Sequence, residues 1–318
     1  MKARRLSGRA DELIFRGGTG AFALLLIVIV AAIGFELVRQ SELSIRQFGW
    51  QFWLTDNWNP VAGEFGARPF IWGTLYSSIL ALFIATPVAL GIAIYISELC
   101  PAWLRRPLMF LTELLAAIPS IVYGLWGIFV LVPLVRQFET STPEWLRGVP
   151  LFTGPPLGVG MLSAALILSI MIIPFTSSIA REVLRAVPQA QREGAYALGA
   201  TRWEAIRMAL FYARTGIIGA VMLGFGRALG ETMAVTMVIG NNPQITWSLY
   251  APQYTMAAVL ANEFSEASGD LYLHALIEIG LVLFVMTLII NSISRGLIFA
   301  MNRPKRARVV KPAVQGAA

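Results

Sequence analysis

Six apolar runs, each long enough to cross a lipid bilayer, leave this chain little choice of architecture. They lie at about residues 17–38, 70–96, 108–135, 158–180, 216–240 and 273–300. A bilayer core takes about 20 apolar residues as a helix. Inside it every backbone N–H and C=O must find a partner within the protein, which leaves helices or closed barrels, and runs of this length are helices. Pro87, Pro119, Pro133 and Pro174 fall inside these runs, so kinks are expected there. The expected fold class is all-α integral membrane, with six transmembrane helices.

Composition agrees. The 318 residues are 57% hydrophobic and 14% charged, with a mean hydropathy of +0.67, whereas a soluble domain carries about 25% charged residues. The net charge of +7 does not indicate nucleic acid, because the bases lie at the two ends and in one internal loop without interleaved aromatics. Cys100 and His274 are the only residues of their kinds, which excludes an intrachain disulfide and a metal centre built on His and Cys. No G-x-x-x-x-G-K-[ST] occurs, and the lysines are Lys2, Lys305 and Lys311, all outside the runs. The chain therefore has no P-loop, and energy for any work it does comes from a partner or an ion gradient.

Orientation follows from the arginines and lysines. Residues 1–16 carry Lys2, Arg4, Arg5, Arg9 and Arg16; residues 181–215 carry Arg181, Arg185, Arg192, Arg202, Arg207 and Arg214; the tail 301–318 carries Arg303, Lys305, Arg306, Arg308 and Lys311. The loop from Asn241 to Tyr272 carries none. Both termini and the loop 181–215 are thus expected in the cytoplasm. The first run is expected to be a retained peripheral helix rather than a signal peptide, because its length suits a full crossing. Trp50, Trp53 and Trp58 suit an interfacial belt, and the basic tail, a topology anchor, can also meet anionic membrane lipid.

Residues 181–215 are long for a connection but well punctuated. After Pro188, Gln189 to Leu198 reads as a short helix, Gly199 as its stop, and Thr201-Arg202-Trp203-Glu204 as a capping box opening the next helix. This is a helix-turn-helix running straight into a membrane span, which suits a docking surface for a cytoplasmic partner better than a DNA reader.

The costliest feature is Arg227 with Glu231 in the middle of the fifth run, since a charge at the bilayer centre costs about 2.5–3.5 kcal/mol on insertion scales. The two are four apart, hence expected on one helix face near mid-bilayer. The small residues around them, with Gly226 and Gly230 at G-x-x-x-G spacing, would let another backbone come close. An ion pair that merely locks the fold is the alternative. Glu113 and Glu278 sit near the ends of their runs and are expected to snorkel to water, as His274 is expected to be interfacial. Thr232 and Thr236 offer hydroxyls to a path, or bond back to their own helix.

Glu193-Gly194-Ala195-Tyr196-Ala197-Leu198-Gly199 resembles the EAA loop of ABC importer permeases, with Gly194 in place of the first Ala. The customary Ile-x-Leu-Pro beyond the Gly is not matched by Ala209-Leu210-Phe211-Tyr212. Asn59-Pro60, Glu64-Phe65-Gly66 and Pro69 to Leu75, then Ala116 to Gly127, then Gly226 to Asn241, look like permease subunits of the phosphate-specific (Pst) importer, of the PstC type.

The resemblance implies a type I ABC importer permease (MetI-like) fold, with residues 70–300 as the core, residues 17–38 wrapped outside and residues 181–215 as the coupling loop. It implies Glu193, Gly194, Ala195, Gly199 and Thr201 as ATPase-coupling residues. Arg227, Glu231 and Thr232 would line the path of inorganic phosphate, the arginine gripping oxygens while the carboxylate moderates the grip. Implied partners are a paralogous PstA-type permease, a pair of PstB-type ATPase subunits holding ATP and magnesium, and a PstS-type phosphate-binding protein, the chain itself being no enzyme. Competing readings are the PstA-type paralogue or another oxyanion permease, an ion-coupled secondary anion transporter, and a phosphate-sensing scaffold.

Overall fold

The computed structural model describes residues 3–302. Lys2 and the tail residues Arg303, Lys305, Arg306, Arg308 and Lys311 lie outside the described residues, as do the side chains of Arg4, Arg5 and Arg9. The described chain is mostly helical. In order the helices are α1 (Ala3–Gln40), α2 (Glu42–Phe48), α3 (Gln51–Leu54), α4 (Arg68–Ile94), α5 (Ala102–Ala117), α6 (Ser120–Trp126), α7 (Val132–Thr140) and α8 (Glu144–Arg147). They continue with α9 (Met161–Arg185), α10 (Gln189–Ala197), α11 (Arg202–Leu229), α12 (Met233–Val238), α13 (Met256–Glu263) and α14 (Asp270–Asn302). Among the described residues six helical stretches are long and apolar enough to cross a membrane: Phe15–Gln40, Arg68–Leu99, Ser120–Thr140, Met161–Arg185, Arg202–Leu229 and Asp270–Met301.

The third and fifth runs depart most from expectation. Residues 108–135 are not one kinked helix. Proline disfavours helical geometry in the residue before it, and Ile118 is accordingly extended, at φ −65° and ψ 129°, so that α5 ends at Ala117 and α6 starts afresh after Pro119. Pro133 is absorbed differently, in the first turn of α7 directly after a wide π-helical turn over Gly127–Leu131. Pro87 and Pro174 stay inside continuous helices. The fifth run does not begin at residue 216 or continue to 240, since α11 starts at Arg202 and stops at Leu229.

The chain forms two compact units. The first comprises residues 3–77, Ser120–Ile167 and Gly230–Thr287. Its core gathers Phe52, Phe65, Phe70, Tyr254, Met256, Leu276 and Ile279. Half-buried Trp58 packs against this core: its ring meets Phe65 and Phe70 edge-on, each at 4.9 Å, and its Nε1 donates to Glu263 Oε2 at 2.9 Å. Trp50 is 81% exposed. Glycine lets α6 and α12 press together here, a Cβ on Gly124 reaching to 3.1 Å from Ala234 Cα, and one on Gly127 to 2.9 Å from Val238 Cγ1.

The second unit comprises Ser78–Pro119, Leu168–Leu229 and residues 288–302. Ala93, Ala180, Leu184, Val187, Ala209, Ala213, Ile217 and Ala220 form its core. So many alanines allow helices to approach closely where aliphatic bulk gives no hydrophobic advantage over lipid. Gly216 and Gly224 serve the same end, since a Cβ on Gly216 would fall 2.5 Å from Val183 Cγ1 and one on Gly224 2.9 Å from Ile172 Cγ2.

Candidate translocation and coupling sites

The charged residues of the fifth run do not share one helical face, because the helix ends between them. Gly230 makes a turn, Glu231 and Thr232 are non-helical, and α12 opens at Met233. Glycine pays the largest backbone entropy in a helix, which favours an end there. Arg227 then occupies the last turn of α11 and Glu231 precedes the first turn of α12. A cation at a helix C-terminus and an anion at a helix N-terminus are each favoured by the peptide dipoles, by about 0.3–1 kcal/mol. The break therefore suits both charges to their positions.

Each charge has a local partner within its own unit. The Arg227 guanidinium lies over the Phe175 ring, 5.5 Å from its centroid. Glu231 Oε1 accepts the Ala234 N–H at 3.3 Å, closing the start of α12. Arg227 is nevertheless exposed, and Glu231 and Thr232 are half-exposed. The threonines bond locally: Thr236 Oγ1 donates to the Thr232 carbonyl at 2.7 Å and Thr232 Oγ1 to the Gly230 carbonyl at 3.4 Å. Close helix contact does not fall at Gly226, where the nearest atom to an added Cβ is Asn291 Oδ1 at 3.9 Å, but at Gly216 and Gly224. Gly230 ends the helix instead of packing within it.

The loop 181–215 is organised around an ion pair that its own sequence does not reveal. α10 ends at Ala197, Gly199 takes φ +82°, and Thr201 with Glu204 forms the capping box, the Thr201 N–H donating to Glu204 Oε2 at 2.7 Å. The helix so opened is the span itself, without interruption to Leu229. Arg192 Nη2 meets Glu98 Oε1 at 2.6 Å and also donates to the Leu184 carbonyl at 2.9 Å. Arg202 Nη2 donates to the Glu98 carbonyl at 2.7 Å. Glu98 thus ties both loop helices to the end of the second span. The only hint in the sequence is an acid placed alone at the end of an apolar run, opposite in sign to the loop.

Above this anchor, Ala195 is buried while Glu193 and Gly194 are exposed. Tyr196, Leu198 and Trp203 are also exposed, at 51%, 91% and 62%. A cavity of about 360 Å³ beside them is lined by Glu98, Arg105, Arg185, Arg192, Glu193 and Tyr196, among others. Exposed apolar and aromatic side chains next to charged ones are what a protein docking surface offers.

Of the two acids expected to snorkel, Glu113 is exposed, with 59% of its side chain accessible, whereas Glu278 is not. Glu113 meets Arg181 Nη2 at 3.4 Å, and the same nitrogen lies 2.9 Å from Glu182 Oε1. Arg181, 4% exposed, is the buried partner, and its missing water explains why two carboxylates gather on it. Glu278 is 1% exposed. His274 is half-buried, and its Nδ1 has no hydrogen-bond partner among the described residues.

Residues 89–306 match the family of the binding-protein-dependent transport system inner membrane component. The phosphate transport system permease protein PstC of Pasteurella multocida is 47% identical over 308 residues, covering 95% of this chain and 96% of the relative. PstC of Mesorhizobium japonicum is 46% identical over 297 residues, covering 92% and 91%, and a probable PstC of Methanocaldococcus jannaschii is 38% identical over 301 residues, covering 92% and 95%. Among solved structures, a chain of the MetNI methionine ABC transporter superposes with a TM-score of 0.56 at 16% identity, over 73% of this chain and 94% of that one, which shows a shared ABC permease fold. The chain belongs to the binding-protein-dependent transport permeases of the inner membrane and, within them, to the PstC family of phosphate transport system permeases.

Proposed function

We propose that this chain is the non-catalytic permease subunit of an ATP-driven inorganic phosphate importer, forming half of the translocation path. The PstC relatives support phosphate as the cargo. The observation that carries the path residues is the break at Gly230–Thr232, which leaves Arg227 exposed at the end of one membrane helix and Glu231 half-exposed at the start of the next. An exposed intramembrane charge needs a polar neighbour, either a water-filled path or another subunit. Arginine presents a planar fork of donors to phosphate oxygens, and a nearby carboxylate limits how tightly the anion is held, as conduction requires. Thr232 contributes a hydroxyl at the same break.

The finer assembly follows the family. A PstA-type permease completes the path, a pair of PstB-type ATPases binds ATP and magnesium and receives the surface around Glu193, Gly194, Ala195, Gly199 and Thr201, and a PstS-type protein delivers phosphate. Both termini face the cytoplasm. The test is co-purification joined to uptake. A tagged chain is expected to bring down an ATPase and to support phosphate uptake, and Arg227→Gln is expected to abolish uptake while the ATPase stays bound. Uptake without any associated ATPase would instead establish a secondary transporter.

A further inference from the structure

A second cavity, of about 440 Å³, lies in the first unit where α2 and α3 meet α14, lined by Ile45, Gly49, Trp50, Trp53, Glu278 and Leu281. Glu278 is 1% exposed, and its Oε2 has no hydrogen-bond partner among the described residues. Its polar neighbour Ser44 is wholly buried. An unpaired buried carboxylate is unstable as an anion unless a cation is supplied. Two indoles stand at the same cavity, Trp50 and Trp53, with ring centroids 6.1 Å apart, and Trp50 is 81% exposed. A carboxylate set among indole rings and aliphatic walls is the chemistry that recognises an ammonium group.

Depth identifies where that ammonium comes from. The membrane stretch Asp270–Met301 has 32 residues, about 48 Å of helix, against about 30 Å of hydrocarbon. Each end therefore overhangs by about 9 Å, and Glu278, eight residues in, lies about 12 Å from the helix start, at the boundary between headgroups and acyl chains. Ile45, Gly49, Trp50 and Trp53 follow directly on the end of α1 at Gln40, at the same level, where tryptophan favours the interface. A lipid headgroup reaches this depth with its own acyl chains still in the bilayer.

We infer that the cavity bounded by Glu278, Trp50 and Trp53 is a binding site for the primary ammonium headgroup of a membrane phospholipid of the phosphatidylethanolamine class. The ammonium donates to the Glu278 carboxylate while the indole faces cover it. The occupied site holds α2 against α14. This inference rests on the chain spanning a membrane and not on the identity of its cargo.

The test uses the full-length protein, purified with the subunits that accompany it and placed in nanodiscs of phosphatidylglycerol alone or doped with phosphatidylethanolamine. Thermal unfolding is followed, and tightly held lipid is counted by native mass spectrometry. Phosphatidylethanolamine is expected to raise Tm and to be retained by the wild type. Glu278→Gln, which removes the charge and keeps the shape, is expected to lose the Tm increment and to retain phosphatidylethanolamine about tenfold more weakly or worse, as the loss of a charge-assisted hydrogen bond implies. Trp50→Leu, at an exposed ring that folding does not need, is expected to weaken retention in the same direction and guards against an unfolded Glu278 variant. Equal retention by wild type and both variants, or equal stabilisation by the anionic lipid alone, overturns the inference.

Discussion

Gly124 stands against Ala234 so closely that a Cβ on it would lie 3.1 Å from the Ala234 Cα and 2.5 Å from Met237 Sδ. This contact joins the two helices, α6 and α12, that restart after breaks in the third and fifth runs. A branched side chain cannot be accommodated by moving Met237 alone, because the Ala234 contact is backbone. Gly124→Val is expected to cost about 1–3 kcal/mol as overpacking does, seen as a lowered Tm and reduced uptake. Gly219→Ala is the control: its nearest neighbour would be Ile298 Cδ1 at 3.6 Å, so the gain in helix propensity, up to about 1 kcal/mol, should leave stability equal or higher.

Glu231 has two separable duties, capping α12 through the Ala234 N–H and carrying charge at the break. Glu231→Gln keeps an acceptor and loses the charge, whereas Glu231→Ala loses both. Uptake is expected to fall in both variants. Only the alanine variant should also lose about 1 kcal/mol of stability, the usual worth of a side-chain cap. Equal Tm values for the two would show that the cap contributes nothing.

The Glu98–Arg192 pair, 13% and 24% exposed, anchors α10. Arg192→Ala removes one partner and leaves the other half-dry, at a cost of about 1.5–3 kcal/mol for a hydrogen bond to a charged group. The expected phenotype is uncoupling, with the chain inserted and ATPase bound but uptake reduced. A double-mutant cycle with Glu98→Ala measures the coupling energy, and additive losses would mean that the pair is not an anchor.

Gly199 isolates a backbone effect. It holds φ +82°, and an added Cβ would meet nothing within 4 Å. Gly199→Ala is therefore expected to destabilise the turn between α10 and α11 by about 1–2 kcal/mol through left-handed strain alone. Weaker retention of the ATPase in pull-down experiments, without loss of membrane insertion, is the readout.

Much of the architecture is legible in the sequence because membrane burial imposes a period-free signal, sheer length of apolar chain, that survives without knowing any neighbour. The loop turn at Gly199 and the capping box at Thr201 were legible for a related reason, since both are set by contacts within a few residues. The contacts that sequence reasoning misses share the opposite property, being made between residues far apart in the chain. Trp58 has polar neighbours in sequence, yet its Nε1 donates to Glu263, 205 residues away. Glu113, exposed near a helix end, meets Arg181, 68 residues away.

By itself the sequence determined the helical membrane class, the absence of a P-loop motif and, through the motif around Glu193 to Gly199 and the stretch from Gly226 to Asn241, the family. What only the tertiary structure decided is where the fifth run breaks. Gly226 and Gly230 have the same spacing a packed helix would use, and Arg227 and Glu231 the spacing of a single face. Local propensity cannot distinguish a continuous helix with two buried charges from two helices with a charge suited to each end. The packing of α12 on Gly124 and Gly127, together with the Glu231 cap, selects the second. The charges are then set by helix ends, not by a common face.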